Sequence, residues 1–370
     1  MDRSLHSYRS PHSYPLCLVT TLLLGALLLS ACDAGSGTPS PASGSLRWRF
    51  QADATAHPSQ VTVAAANGIV YVCSADHFLN ALDARTGARR WRVPLSTGLS
   101  LVSGVADGVV YLYSATLNVG YSLDARDAQT GALRWRFLTR GGNAPSLSIA
   151  VAAGTVYFGS WVGTVYALDT RTGTLRWQAQ VPGNTYAGPA VANGVVYVYS
   201  EGDYALYALD AQTGVQRWRF PTGEGAPDAP VVADGVVYVG AGDFFLYALD
   251  GTTGRLRWKV QASQELCSTP AVANGLVYLG SFDQRVYALD AGTGTPRWHF
   301  QTGDRIIATP VVANGIVYVG STDLYLYALD AHTGTQRWRY QTGGVAFAPV
   351  VASGIVYVAA GEGYVYALNA

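Results

Sequence analysis

The sequence predicts an all-β fold: an eight-bladed β-propeller of four-stranded antiparallel blades, closed by pairing the N-terminal strand with the C-terminal blade. Three observations predict it. A tryptophan recurs as Trp48, Trp91, Trp135, Trp177, Trp218, Trp258, Trp298 and Trp338, at spacings of 40 to 44 residues. Seven of these have an aspartate eight residues upstream: Asp83, Asp127, Asp169, Asp210, Asp250, Asp290 and Asp330. A second marker, x-Gly-x-Val-Tyr, occurs eight times, beginning at Asn67 and ending with the copy at Ser353. A fixed period of this length marks a ring or array of one supersecondary unit.

Each element of the unit has a local cause. Pairs such as Asn67-Gly68 and Asp234-Gly235 tolerate positive φ, so they make two-residue hairpin turns between strands A and B. The segment Asp210-Ala211-Gln212-Thr213-Gly214 reads as a longer hairpin between C and D, with the aspartate capping the turn. The runs between turns are rich in Val, Tyr, Leu and Ala and read as strands, for example 309–313, 316–320, 325–330 and 335–340. The repeat is entered at Ser45-Leu46-Arg47-Trp48-Arg49-Phe50, a lone D strand, and left at Tyr366-Ala367-Leu368-Asn369, a C strand. The first segment therefore supplies what the last blade lacks. Of the sixteen residues flanking the eight tryptophans, fifteen are Arg, Lys or His, with Gln178 the exception. Charge on the outermost strand is expected to oppose edge-to-edge aggregation.

The first 31 residues read as a lipoprotein signal peptide: Arg3 and Arg9, then an apolar run from Leu16 to Leu29 that is too short for a comfortable membrane span. Leu29-Ser30-Ala31-Cys32 resembles the bacterial lipobox, which implies acylation of Cys32 and cleavage just before it. Residues 32–45 are mostly Gly, Ser, Pro, Thr and Ala and read as a flexible tether, leaving 46–370 for the propeller. Asp33 follows the lipidated cysteine. In the enterobacterial lipoproteins that this region resembles, that residue implies the outer face of the cytoplasmic membrane.

Charged residues make up 13% and the formal net charge is zero, which argues against a nucleic-acid partner. The four cysteines, Cys17, Cys32, Cys73 and Cys267, form no disulfide framework by spacing. No Walker A loop, GxSxG elbow or HExxH helix occurs.

The run from Ala167 through Asp169, Thr172 and Gly173 to Trp177 resembles the tryptophan-docking motif of the pyrroloquinoline-quinone (PQQ)-like propeller repeats. The resemblance covers residues 46–370 and implies that each tryptophan packs between neighbouring blades. In layout, with lipobox, short linker and lean blades, the chain is similar to the propeller lipoproteins of outer-membrane protein assembly. Blade two departs from the pattern, with Asp124-Ala125-Arg126-Asp127 in place of Tyr-Ala-Leu-Asp and a longer B–C connection.

The D–A and B–C connections vary in length and residue and emerge on one face, where a rigid frame usually carries its binding residues. Candidate partner-binding residues there are Trp161, Phe282, Tyr325, Tyr204, Phe347 and Arg305. Trp161 stands out, because its equivalents are Gly242, Phe282 and Thr322. Asp76, Asp203, Asp243, Asp283 and Asp323 recur once per blade and read as turn caps. His57, Cys73, Asp76 and His77 lack the tight spacing of a metal site. The expectation is a membrane-anchored, extracytoplasmic, non-catalytic scaffold: a monomeric ring binding an envelope or membrane protein, with no catalytic, cofactor or metal residue. The family resemblance implies an alternative, a PQQ-dependent quinoprotein dehydrogenase using Ca²⁺, of which Asp304-Arg305 imitates part. An extracytoplasmic ligand-sensing module is the other alternative.

Overall fold

The computed structural model describes residues 42–52, 61–74, 76–95, 100–116, 120–139, 144, 146, 148–185, 187–225, 229–264, 266 and 268–370. The signal peptide, Cys32 and most of the segment read as a tether lie outside the described residues. The described chain forms thirty-two strands in eight four-stranded antiparallel sheets. Strand β1 (Leu46–Gln51) pairs with β32 (Tyr364–Asn369), so the last blade takes its outer strand from the start of the ring. Residues 42–45 form a turn that continues this closure: the Gly44 amide donates to the Asn369 carbonyl at 2.8 Å, and Gly44 lies directly under the Trp338 ring.

Blade seven comprises β26 (Val311–Ala313), β27 (Ile316–Gly320), β28 (Tyr325–Asp330) and β29 (Gln336–Gln341). Its inner strand is two residues shorter than the sequence pattern indicates, because Thr309 and Pro310 belong to the incoming loop. In blade two the additional residues lengthen the strands, to Val109–Thr116 and Gly120–Asp127.

The turns explain why the unit repeats. At each A–B hairpin both central residues are left-handed, as at Asn67 (φ 50°) and Gly68 (φ 73°), the geometry that matches strand twist. At each C–D hairpin the aspartate carboxylate is shared. In blade one, Asp83 Oδ1 accepts the amides of Arg85 and Thr86 and the Thr86 hydroxyl, while Oδ2 pairs with Arg90 at 2.7 Å. The two hairpins are then joined, since the Ala84 amide donates to the Gly68 carbonyl. A register shift between Ala81 and Leu82 marks a bulge on strand D and re-aims the side chains beside Trp91.

The core lies between blades. Each of the eight indoles packs over the glycine of the following turn: Trp48 over Gly87, Trp135 over Gly173, Trp298 over Gly334, and so round to Trp338 over Gly44. A Cβ at Gly173 would stand 2.6 Å from the Trp135 ring, so only glycine fits. The Trp177 indole N–H and the Tyr157 hydroxyl both donate to the Ala211 carbonyl of the next blade, at 2.9 and 3.0 Å. On either side of blade two the clamp is half made: the Tyr71 hydroxyl donates to Ala128 and the Trp135 indole to Thr170, but the buried Trp91 indole N–H and Tyr111 hydroxyl have no hydrogen-bond partner. There Asp124, 1% exposed, is held by a two-pronged bond from Arg136.

Candidate functional site: the variable face

The B–C turns and D–A loops share one face of the disc, opposite the two hairpin sets just described. In blades one, four, five, six and seven the B–C turn is braced by its recurring aspartate. Asp323 accepts the Tyr325 amide, the Tyr327 hydroxyl and the Gly303 amide, which ties the turn to the preceding D–A loop. Asp243 does the same with Phe245, Tyr247 and Gly223, and Glu362 replaces it in blade eight. These acids hold the frame.

The residue after each of these aspartates is left-handed. It is Tyr204 (φ 48°), Phe244 (φ 67°), Gln284 (φ 70°), Leu324 (φ 72°) and His77 (φ 60°), whereas Gly163 and Gly363 take the position in blades three and eight. A bulky side chain there carries backbone strain that glycine would avoid. The frame fixes the position all the same, because its carbonyl accepts the first amide of the D–A loop, as Phe244 accepts from Ala262 at 2.8 Å.

Trp161 is 54% exposed, with Val162 beside it at 45% and Phe244 on blade five at 43%. Tyr204, half-buried, stands on the blade between them. Large apolar side chains thus occupy the same face of three consecutive blades. Phe282 and Arg305 are brought together at the next junction, the guanidinium lying 5.4 Å from the ring centroid. The Asp304 carboxylate accepts the Arg305 amide.

The other two candidates lie elsewhere. Tyr325 sits under its own blade's Arg339 guanidinium, 4.5 Å from the ring centroid, and Phe78 with Arg92 and Phe245 with Lys259 repeat that stack. Phe347 packs against the core between blades eight and one, where with Val61, Val63, Thr309, Val311 and Val350 it lines a recess of about 30 Å³. That volume is about one water molecule. His57, Leu117, Arg140, Tyr186, Asp228, Glu265 and Cys267, also on variable connections, lie outside the described residues.

Among the described residues, the recess beside Phe347 does not offer a donor set for the quinone cofactor that the repeat family implies. That recess carries no carboxylate or guanidinium among its lining residues, and its one side-chain polar group is the Thr309 hydroxyl. Among the described residues no three His, Cys, Asp or Glu side chains gather to hold a cation. The buried Cys73 thiol is pushed well above its ordinary value by desolvation and points its sulfur at the Ser100 carbonyl, so it is no nucleophile.

A family model described as outer membrane protein assembly factor BamB matches residues 38–185, 121–231, 221–309 and 283–370. The chain belongs to the BamB family. The crystal structure of BamB from Moraxella catarrhalis superposes with a TM-score of 0.71 at 23% identity, over 88% of this chain and 100% of that one. The computationally designed Ika8 protein superposes with a TM-score of 0.75 at 20% identity, over 85% of this chain and 98% of that one. At such identities the likeness to BamB and to Ika8 is one of fold. A stretch of 142 residues is 34% identical to the serine/threonine-protein kinase AfsK of Streptomyces griseus. That stretch is 36% of this chain and spans 17% of the kinase.

Proposed function

We propose that this member of the BamB family is a non-catalytic scaffold of the bacterial cell envelope that captures a protein partner on its variable face. The observation that carries the reading is the exposed series Trp161, Val162 and Phe244, presented on turns whose backbone is fixed, by the buried Ser160 and Thr185 hydroxyls in blade three and by the half-buried Asp243 carboxylate in blade five. Rigid aromatic anchors on a preorganised surface supply most of the energy at protein interfaces. Phe282 with Arg305 extends the series. Affinity capture of the tagged propeller from solubilised envelopes should recover a stoichiometric partner, and Trp161→Ala combined with Phe244→Ser should release it without lowering Tm. Retention of the partner by the double variant would exclude this face.

We further propose that acyl chains on Cys32 hold the propeller to a membrane, with Asp33 favouring the outer face of the cytoplasmic membrane. The lipobox motif supports this. Firm attachment needs at least two chains. Cys32→Ala should move the protein to the soluble fraction; a variant that stays on membranes after a high-salt wash would refute the anchor. The identity with part of a serine/threonine kinase favours a second reading, a ligand-sensing module. The envelope capture separates the two, since a sensor needs no stoichiometric protein partner.

A further inference from the structure

A cavity of about 240 Å³ opens between blades five and six, between Leu246, Val260, Leu266, Leu279, Tyr287 and Pro296. Gln261, Ser263 and Arg285 border it. The other junctions show what normally fills this space. An aromatic ring on strand D packs edge-on against the strand C tyrosine of the next blade. Phe220 meets Tyr247 with centroids 5.7 Å apart at 65°, Phe300 meets Tyr327 at 5.6 Å and 60°, and Phe137 meets Tyr166 at 5.5 Å and 64°.

At the five–six junction Val260 stands where those rings stand, facing Tyr287. The three–four junction also has a small residue, Ala179 opposite Tyr207, but there Val181 packs into the gap. The residue equivalent to Val181 at the five–six junction is Ala262, so neither position fills the space. Tyr287 is accordingly half-buried, whereas Tyr166, Tyr207, Tyr247 and Tyr327 are buried. Its far side is backed by His299, with centroids 6.2 Å apart, and its hydroxyl is tied to Asp283, so the ring wall is fixed.

We infer that this interblade cavity binds a small aromatic molecule, its ring taking the place of the missing strand D aromatic against Tyr287 and a short anionic substituent reaching Arg285. The chemistry follows from the sister junctions, where the same walls already hold a phenyl ring edge-on. Apolar cavities of about 150 Å³ take up benzene, so 240 Å³ leaves room for a ring with one substituent. The cation at the border selects the sign of that substituent: Arg285 donates to Gln301 and also bonds the Tyr287 hydroxyl near Asp283, and its five-donor fork keeps further N–H groups.

The test titrates the whole chain with phenylacetate and with benzylamine, followed by ligand-observed NMR. Phenylacetate should bind and benzylamine should bind about tenfold more weakly or not at all, and Arg285→Gln should abolish the difference. Val260→Phe should supply the missing ring, abolish binding and raise Tm. Ala262→Val, the residue found at the three–four junction, should weaken binding at least about tenfold, which covers the case of a Val260→Phe chain that does not fold. Absence of phenylacetate binding to the unaltered chain, or undiminished binding in both variants, overturns the inference.

Discussion

The aspartate of each C–D hairpin does several jobs with one carboxylate. Asp127, Asp210 and Asp250 are held down to about 2, first by the bond from their arginines and then by threonine and backbone donors. In the unfolded chain the same groups titrate near about 4. Between those values the unfolded state binds more protons, so stability falls as pH falls. The stabilisation is complete above pH 4 and lost on descending through pH 2. Thermal melts from pH 6 to pH 2 should show Tm dropping steeply below about 4, and Asp210→Asn should lower Tm at neutral pH while reducing that acid dependence. Phe244 makes the opposite case. Its left-handed backbone costs on the order of 1–2 kcal/mol for a side chain other than glycine. Phe244→Gly should therefore keep or raise Tm, yet lose partner capture. The turn aspartates were legible in the sequence because they recur. The exposure of Trp161 was not, since an aromatic residue in a turn packs inward or outward with equal chemistry. The place of Tyr325 under Arg339 depends on the C–D register, which spacing alone does not reveal.

At the scale of the strand, the tryptophan clamp is repeated but not uniform. Removing the buried Trp48 ring should cost about 3–5 kcal/mol, as for other large core aromatics, and Trp48→Ala melts would measure it. Trp177 and Trp91 differ in one bond: the first donates to Ala211 and the second donates to nothing. Trp177→Phe should thus cost about 1 kcal/mol more than Trp91→Phe by urea denaturation. Hairpin chemistry made the strand count and order readable, and Asn-Gly and Asp-x-x-Thr-Gly fixed the B, C and D boundaries to within a residue. The inner strands were less readable, because the chain arrives at them through irregular loops with no turn signal. The gap at Val260 was also hidden, for valine is as good a strand residue as phenylalanine and only the facing blade makes it too small.

Across the whole ring, the buried tyrosines set an alkaline limit. Tyr71, Tyr278, Tyr318 and Tyr357, one on the second strand of each of four blades, are raised to about 12 by burial. An unfolded tyrosine ionises near about 10. From there to 12 the unfolded state gives up protons that the folded state keeps, so this stabilisation is present below pH 10 and lost as pH rises through 12. Tyrosinate absorbance and loss of β-sheet circular dichroism should rise together in that interval. A tyrosinate signal preceding the loss of sheet would show that these hydroxyls are not the ones holding the blades.

The pairing of β1 with β32 also sets a timetable. Arg47 bonds to Asn369, 322 positions later, so β1 is the first strand of the ring to be made and the last to find its neighbour. On a ribosome delivering about 5–20 residues per second, that strand waits tens of seconds with its amides and carbonyls unpaired. Blades one to seven can meanwhile zip up from local hairpins. Closure is thus a late step of high sequence separation, and slowing or pausing release of the final strand should lengthen the interval in which chaperones bind the nascent chain.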